Sequence, residues 1–410
     1  MRRLPGEANQ LVDVRSGSTT TWRDLPEVKL TGPAVVVVGS SYDALPYVYT
    51  HALTGAELLV VARGRMEQTL GTELREAGFA MLDGLAGDSG EEASNPRPAE
   101  PGRLWLLTSG STGRPKRIGH TLDSLTTVGG ELPPRRWLCP YSPGTYAWWQ
   151  VVTLGLGAAG QDLVVVDPAD LDGWVDAAIE YAVTAASGTP TFWRQTIISH
   201  GAELAQVPLQ QVSLGGEPVD QAVLSQLREI FPQARVSWLY ASSEVGASIV
   251  VHDGRAGFPV EWLDRDQPGR PRITVDDDEL VITSPHHGAG LAGAVHTGDA
   301  VVVEDGRVLI IGRVDSDEIN VGGAKVSAGV VRSVLQSHPG VAWAHVRGRK
   351  APLVGTIVVA EVVLRPGHTD GDVVAELTRW SRERLPEYGV PRRIKVLDTI
   401  PAKETLKSDV

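Results

Sequence analysis

The stretch LTSGSTGRPKR, residues 107–117, sets six small or hydroxylated residues before a basic tail. They are Thr108, Ser109, Gly110, Ser111, Thr112 and Gly113, followed by Arg114, Pro115 and Lys116. Two readings fit. Clusters of Gly and Ser mark surface turns. Glycines also let successive backbone N–H groups converge on one point, and such nests bind phosphate. The hydroxyls would add donors and Lys116 a point charge. The spacing differs from that of a P-loop, which sets four residues between its first glycine and Gly-Lys. Taken alone, the stretch offers phosphate chemistry without requiring it.

Other residues could join that chemistry. Tyr240 and Glu244 bracket YASSE, and Asp299 ends Thr297-Gly298-Asp299. A flat phenol ring can face a base, and an ionised carboxylate has two oxygens for sugar hydroxyls or a hard cation. Singly, each has a plain structural reading: Tyr240 in a core, Glu244 on a surface, Asp299 capping a turn. The triple acid Asp276 to Asp278 reads as a solvated turn rather than a metal site. Cys139 is the single cysteine, which excludes an internal disulfide and a multi-thiolate zinc site. It reads as a small core filler.

The elements that must position these groups follow from the patterning. A chain of 410 residues, with 42% hydrophobic and 21% charged residues, has room for two or three domains. The net charge of -12 argues against general nucleic-acid binding, which needs a positive surface. No apolar run approaches the roughly 18 residues of a membrane span, and MRRLPGEANQ carries no secretory signal. The expectation is a cytoplasmic protein with no membrane or nucleic-acid partner. AVVVVGSS (34–41) and ELLVVARG (57–64), separated by a helix-like segment, predict a β–α–β unit. Residues 84–103, rich in Gly, Pro, Ser and Glu, read as a loop or linker. Apolar runs at 162–167, 212–216 and 235–240, with a helix pattern over 220–231, extend the α/β core. RITVDDDELVITSP and AVVVEDGRVLIIGR carry hairpin signals. AGVVRSVLQSH and GDVVAELTRWSRERL read as helices and GTIVVAEVVL as a strand. The expected fold class is α/β: a large N-terminal α/β domain with a hairpin-rich subdomain, and a small mobile C-terminal α+β domain. The expected boundaries are 1–313 and 314–410, the first shortened before the phosphate loop.

Six separated motifs, in order, resemble those of the acyl-adenylate-forming enzymes. That superfamily includes acyl- and aryl-CoA ligases, peptide-synthetase adenylation domains and luciferase-like enzymes. TSGSTGRPK resembles its phosphate loop, GGEPV (215–219) and YASSE its nucleotide-binding segments, and Thr297-Gly298-Asp299 its ribose-binding motif. GRVD (312–315) resembles its hinge, and VGGAKVS (321–327) its glycine-and-lysine loop. The C-terminal LPEYGVPR also fits. The resemblance implies adenylation of a carboxylic acid by ATP with release of pyrophosphate, then capture by a thiol. It implies nucleotide contacts at Thr108 to Gly113, Lys116, Gly216, Glu217, Pro218, Tyr240 to Ser243, Asp299 and Arg313. Glu244 would hold Mg²⁺, and Asp315 would be the hinge. Gly323 and Lys325 would border a tunnel for a pantetheine arm after the small domain rotates. PAKETLK places Lys407 six residues after Pro401, where the family carries its bridging lysine. Three of only seven lysines, Lys116, Lys325 and Lys407, fall on motif positions.

The sequence departs from the family in its short N-terminal part, in Val330 at a usual glutamate, and in Leu406 at a usual glycine. The acid would lie among Tyr146, Trp148, Trp149, Gly188 and the backbone around Gly215 and Ala241. That aromatic surface suggests a compact, aromatic or small cyclic acid, although both tryptophans also suit a core. No aspartate stands between Tyr141 and Trp149 to pair with an α-amine. The acceptor is expected to be CoA. The alternatives are the phosphopantetheine of an acyl or peptidyl carrier protein, another nucleophile, or a non-catalytic nucleotide-binding relative.

Overall fold

The computed structural model describes residues 4–84, 90–109, 115–314, 317–351, 355–368, 370–401 and 406–408. Its architecture begins with β-branched runs. Ala34–Val38 and Leu58–Ala62 pair in parallel, Ala34 opposite Leu58, and helix Leu45–Thr54 crosses between them. Such runs suit strands covered on both faces. The helix ends at Gly55, whose φ of 71° is the left-handed stop that glycine tolerates best.

These strands belong to a six-stranded sheet, which also contains the hairpin Leu104–Ser109 and Pro115–His120. A separate eight-stranded sheet runs Gly246–Val251, Arg235–Ser242, Gln211–Gly215, Ala185–Gly188, Arg135–Cys139, Gln161–Val165, Gln10–Asp13, Ser18–Thr21. Its six inner strands are parallel and its two edges antiparallel. A five-stranded antiparallel sheet contributes Ala294–Glu304 and Arg307–Arg313. Its hairpins turn at Asp277-Asp278 and Asp305-Gly306, where all four residues have positive φ. Two-residue turns of that kind match strand twist, and Asp and Gly tolerate them. The acidic run at 276–278 is therefore part of a hairpin.

One large core underlies the eight- and five-stranded sheets and part of the six-stranded one. The smaller C-terminal domain has its own core, around Val331, Leu335, Val346, Val362 and Leu377. There, helices Ala328–Gln336 and Asp370–Arg382 accompany a three-stranded sheet of Val341–Ala351, Gly355–Leu364 and Arg393–Leu397. Cys139 is fully buried, and burial pushes its thiol up to about 12.

Two features go beyond the sequence reading. The chain begins in the eight-stranded sheet and enters the six-stranded one only at Ala34. The segment read as a loop or linker is also pinned near its end. Arg97 pairs with both oxygens of buried Glu57, which also accept from the Glu100 amide at 2.6 Å and the Trp105 indole at 2.7 Å. Burial alone would raise the Glu57 pKa, but these donors together hold it below the ordinary carboxylate value. Composition marks such a segment as polar and cannot reveal the buried carboxylate that collects it.

Candidate active site

Strand Arg235–Ser242 delivers Tyr240 near its end, where the ladder to Gly246–Val251 shifts register. The Tyr240 hydroxyl donates to Asp299 Oδ2 at 2.6 Å. Asp299 lies directly opposite Arg313 across a different hairpin, and Arg313 Nη1 donates to Asp299 Oδ1 at 3.0 Å. Arg313 also donates to the Thr297 carbonyl, and the Asp299 amide donates to the Thr297 hydroxyl. Burial raises the Tyr240 pKa, and the Asp299 charge raises it further, so the phenol stays a neutral donor. Gly298 adopts φ +73°, and a Cβ there would meet Arg313 Nη2 at 2.5 Å. The sequence motif Thr-Gly-Asp is thus a turn that glycine permits and a carboxylate that two elements hold.

After Tyr240 the chain turns through Ala241, Ser242 and Ser243 to Glu244. The Ser242 hydroxyl accepts from the Glu244 and Val245 amides, and the Glu244 carbonyl accepts from Gly288. The Glu244 carboxylate takes a 3.2 Å bond from the Ser243 hydroxyl and is partly exposed. Buried His120 sits 2.8 Å from the Ser243 carbonyl through Nε2, which must therefore carry the proton. Burial pulls the His120 pKa down, so the imidazole is neutral at pH 7. His120 ends the strand that carries Lys116, so it ties the phosphate hairpin to the Glu244 turn. Thr108 and Lys116 are opposite each other in that hairpin, and Lys116 is exposed. Gly110, Ser111, Thr112 and Gly113 lie outside the described residues, as does Asp315.

The C-terminal segment comes back to the large domain. Exposed Lys407 lays its stem over Gly216: a Cβ built there would sit 3.3 Å from Lys407 Cε and 3.9 Å from Nζ. Gly216 has φ +81°. The residues flanking Lys407 are both held. The Thr189 hydroxyl donates to the Leu406 carbonyl. Glu217 Oε1 accepts from the Ser408 amide at 2.7 Å and its hydroxyl at 3.1 Å. Glu217 Oε2 accepts from the Thr191 amide at 3.0 Å, in the first turn of helix Pro190–Leu204. Glu217, expected at the nucleotide, is committed here to the lysine's own loop; Pro218 beside it is exposed. Leu406 is 5% exposed with φ +63°. The glycine that the resemblance implies at this position would tolerate that φ. A left-handed leucine costs roughly 1–2 kcal/mol, and here its burial against the large core offsets that cost.

Further contacts join the two domains. Buried Arg194 pairs with Asp220 and donates to the Ala342 carbonyl at 2.5 Å. Gln195 donates to the Ile400 carbonyl, and Ile198 packs against Trp343, Val363 and Ile400. Gly323 and Lys325 lie elsewhere, in the hairpin of Glu318–Val321 and Ala324–Ser327. Gly322 and Gly323 form its turn with positive φ, and Lys325 pairs with Glu318 at 3.0 Å.

The residues expected around the acid divide. Trp148 and Trp149 are completely buried and pack edge to face at 4.9 Å, so their rings supply core. Gly188 makes room for the Phe192 ring and Gly215 for Leu239, since a Cβ at either would collide. Tyr146 reaches toward the Glu244 turn, its hydroxyl 3.4 Å from where a Gly246 Cβ would stand. It faces the Ala247 backbone without a hydrogen bond of good geometry. Burial raises its pKa, so it too remains a neutral phenol. His120, Thr189 and Arg194 lie outside the nucleotide-binding motifs of the sequence, and Glu217 lies within GGEPV. Their only sequence trace is ordinary: a helix-capping Thr-Pro and isolated charges.

Family models match this arrangement in both domains. The one described as AMP-binding enzyme covers residues 29–298, and the AMP-binding enzyme C-terminal domain covers residues 331–407.

The chain belongs to the AMP-binding enzyme family.

Among curated AMP-binding relatives, it is similar to a feruloyl-CoA synthase of an Amycolatopsis species. The two are 28% identical over 337 residues, 73% of this chain and 66% of that protein. It is 26% identical to 4-hydroxybutyrate–CoA ligase 1 of Metallosphaera sedula over 358 residues, 76% of this chain and 62% of that one. The chain thus spans just under two thirds of the length of these relatives. Among solved structures, an anthranilate CoA ligase in complex with anthranoyl-AMP shares its fold. The TM-score is 0.75 at 15% identity, covering 98% and 93% of the two chains. So does an amide bond synthetase from Marinactinospora thermotolerans, at TM-score 0.68 and 20% identity, covering 99% and 96%. Among the described residues no helix is long and apolar enough to cross a membrane.

Proposed function

We propose that this protein activates a compact carboxylic acid with ATP and passes the acyl group to the thiol of CoA. The observation that carries the reading is the meeting of Tyr240, Asp299 and Arg313 from separate elements, with Lys407 delivered over Gly216 by the small domain. The carboxylate oxygen of the acid attacks the α-phosphorus, and the bond to the pyrophosphate oxygen breaks. Two anions must approach, so positioning and charge stabilisation dominate. Tyr240 offers its ring to adenine. Asp299, aligned by two donors, accepts the ribose hydroxyls. Lys407 brings its ammonium to the carboxylate and α-phosphate. The phosphate hairpin, with Thr108 and Lys116, holds the outer phosphates.

The donor set also suits Mg²⁺. Glu244 is a hard oxygen ligand with lone pairs to spare beyond its single long bond from Ser243. Bound there, the ion would neutralise phosphate charge. On the acid side, the buried Tyr146 hydroxyl offers a donor to a polar substituent.

In the second step the thiol sulfur attacks the acyl carbonyl carbon, AMP leaves, and the thiol proton is released to solvent. This step calls for the small domain, 314–410, to rotate about Asp315, the hinge that the resemblance implies. Rotation would withdraw Lys407 and bring Gly323 and Lys325 to the site. A groove of about 390 Å³ beside that hairpin is lined by Asn320, Arg347, Gly348 and Lys350, among others. Its cations favour the phosphates of CoA, although Glu318 also borders it.

The test is pyrophosphate exchange against ferulate, benzoate, anthranilate, 4-hydroxybutyrate, malonate and laurate. Exchange with at least one compact acid is expected, and CoA should then yield its thioester. Lys407→Ala should nearly abolish exchange while thioester formation from supplied adenylate survives. Absence of exchange with every acid would favour a nucleotide-binding protein. A carrier protein outcompeting CoA would move the acceptor.

A further inference from the structure

The residues on either side of Lys407 are gripped by Thr189 and Glu217 of the large domain. We infer that Glu217, with Thr189, is a positioning residue that sets Lys407 for adenylation and must let go before the thiol step. The inference rests on the reading of Lys407 given above.

Three observations carry it. First, the grip is symmetrical about Lys407. Thr189 bonds the Leu406 carbonyl and Glu217 bonds the Ser408 amide and hydroxyl, so the backbone is fixed immediately before and after the lysine. Four rotatable bonds separate an ammonium from its backbone, and a lysine acting as a point charge needs its Cα held. Second, the holders are rigid. Thr189 caps helix Pro190–Leu204 by accepting from the Phe192 amide, and the second Glu217 oxygen takes the Thr191 amide of the same turn. A helix N-terminus favours a carboxylate, and the Thr191 bond aligns Glu217 from its own domain. Third, the same helix grips the rest of the small domain, through Arg194 to Ala342 and Gln195 to Ile400. One helix therefore registers both the domain and its lysine.

The geometry of Leu406 fits a releasable grip. Its left-handed backbone is favourable only while its side chain is buried and its carbonyl bonded. Once the tail leaves, the strain relaxes. The adenylation arrangement is therefore assembled from contacts that are lost together, as a two-state element requires.

The test separates positioning from nucleotide contact and from folding. With the acid that best supports pyrophosphate exchange, Glu217→Ala should lower kcat of exchange about tenfold to a hundredfold, the loss of charge-assisted bonds to one backbone position. KM for ATP should change little. Thioester formation from supplied adenylate should stay near wild type, because the tail is withdrawn in that step. Glu217→Gln, which keeps one acceptor oxygen, should recover part of the rate. Hydrogen exchange needs no substrate: the peptide containing Leu406 to Ser408 should lose protection in Glu217→Ala while the eight-stranded sheet keeps its own. An equal fall in both half-reactions, a rise in KM for ATP as the main effect, or unchanged protection of that peptide would each overturn the inference. If Lys407→Ala itself left exchange intact, the reading of Lys407 would fail first. If Lys407→Ala abolished exchange and Glu217→Ala did not lower it, only the positioning role would fall.

Discussion

Replacing Tyr240 by Phe removes one oxygen and leaves the ring, so it isolates what the hydroxyl does for Asp299. The bond is 2.6 Å long and ends on a carboxylate that is mostly buried. Hydrogen bonds to charged groups are worth about 1.5–3 kcal/mol. Asp299 keeps its contact with Arg313, but that side chain is 57% exposed, so solvent weakens the remaining hold. We expect roughly half the lost bond to appear in ribose binding, about 1–1.5 kcal/mol, or a five- to tenfold rise in KM for ATP. On the proposed reading the phenyl ring still faces adenine, so kcat at saturating ATP should fall less than threefold, roughly the effect of a contact shared by ground and transition states. Pyrophosphate exchange measured over a range of ATP concentrations reads both numbers. A cycle with Asp299→Asn should show the two substitutions to be non-additive, because they share one bond. If KM for ATP were unchanged in Tyr240→Phe and also in Asp299→Ala, the carboxylate would not meet the ribose, and the assembly of the site around ATP would be refuted.

Three further outcomes are expected. Gly323→Trp should slow thioester formation about tenfold or more and leave pyrophosphate exchange unchanged, since a Cβ there meets nothing within 4 Å and the φ of +94° strains only that turn; loss of both steps alike would remove the hairpin from the thiol path. Arg347→Glu with Lys350→Glu should raise KM for CoA about tenfold in low salt, with a smaller effect in high salt; an unchanged KM would dissociate the groove from CoA. Finally, burial holds His51 and His120 below the ordinary imidazole value of 6.5. The unfolded chain then takes up protons first, so their stabilisation is complete above pH 6.5 and declines as pH falls from there through the lowered folded values. Melting temperature followed from pH 8 to pH 5 should drop over that window, and less so in His120→Gln; an identical profile in the variant would show that His120 does not contribute.

The local elements were readable because each is written in a short pattern. The β-branched runs at 34–38 and 58–62 sit in parallel register, and the acidic and Asp-Gly hairpins turn where positive φ was needed. The ordered motifs likewise announced the family, because each is a short local pattern and several recur in one order along the chain. Partners distant in sequence were not readable. Trp148 and Trp149 are chemically fit for a ligand wall or a core, and only the stacking of helix Tyr146–Gly157 on the sheet placed them inside. Glu57 gathers Arg97 and Trp105 across dozens of residues, so a segment that looks like linker is clamped.

The amino-acid order by itself determined which groups are on offer for a phosphate, a sugar and a base, because those groups are side-chain types and glycines at fixed local spacing. It also placed Lys407 six residues after Pro401, the spacing that the resemblance implies. The tertiary structure alone decided who holds Lys407. Glu217 and Ser408 are 191 positions apart, and a bond between them depends on how two separately cored domains meet. Local pattern carries no record of that meeting, since a carboxylate capping a helix looks the same in sequence whether its second oxygen faces water or the tail of another domain.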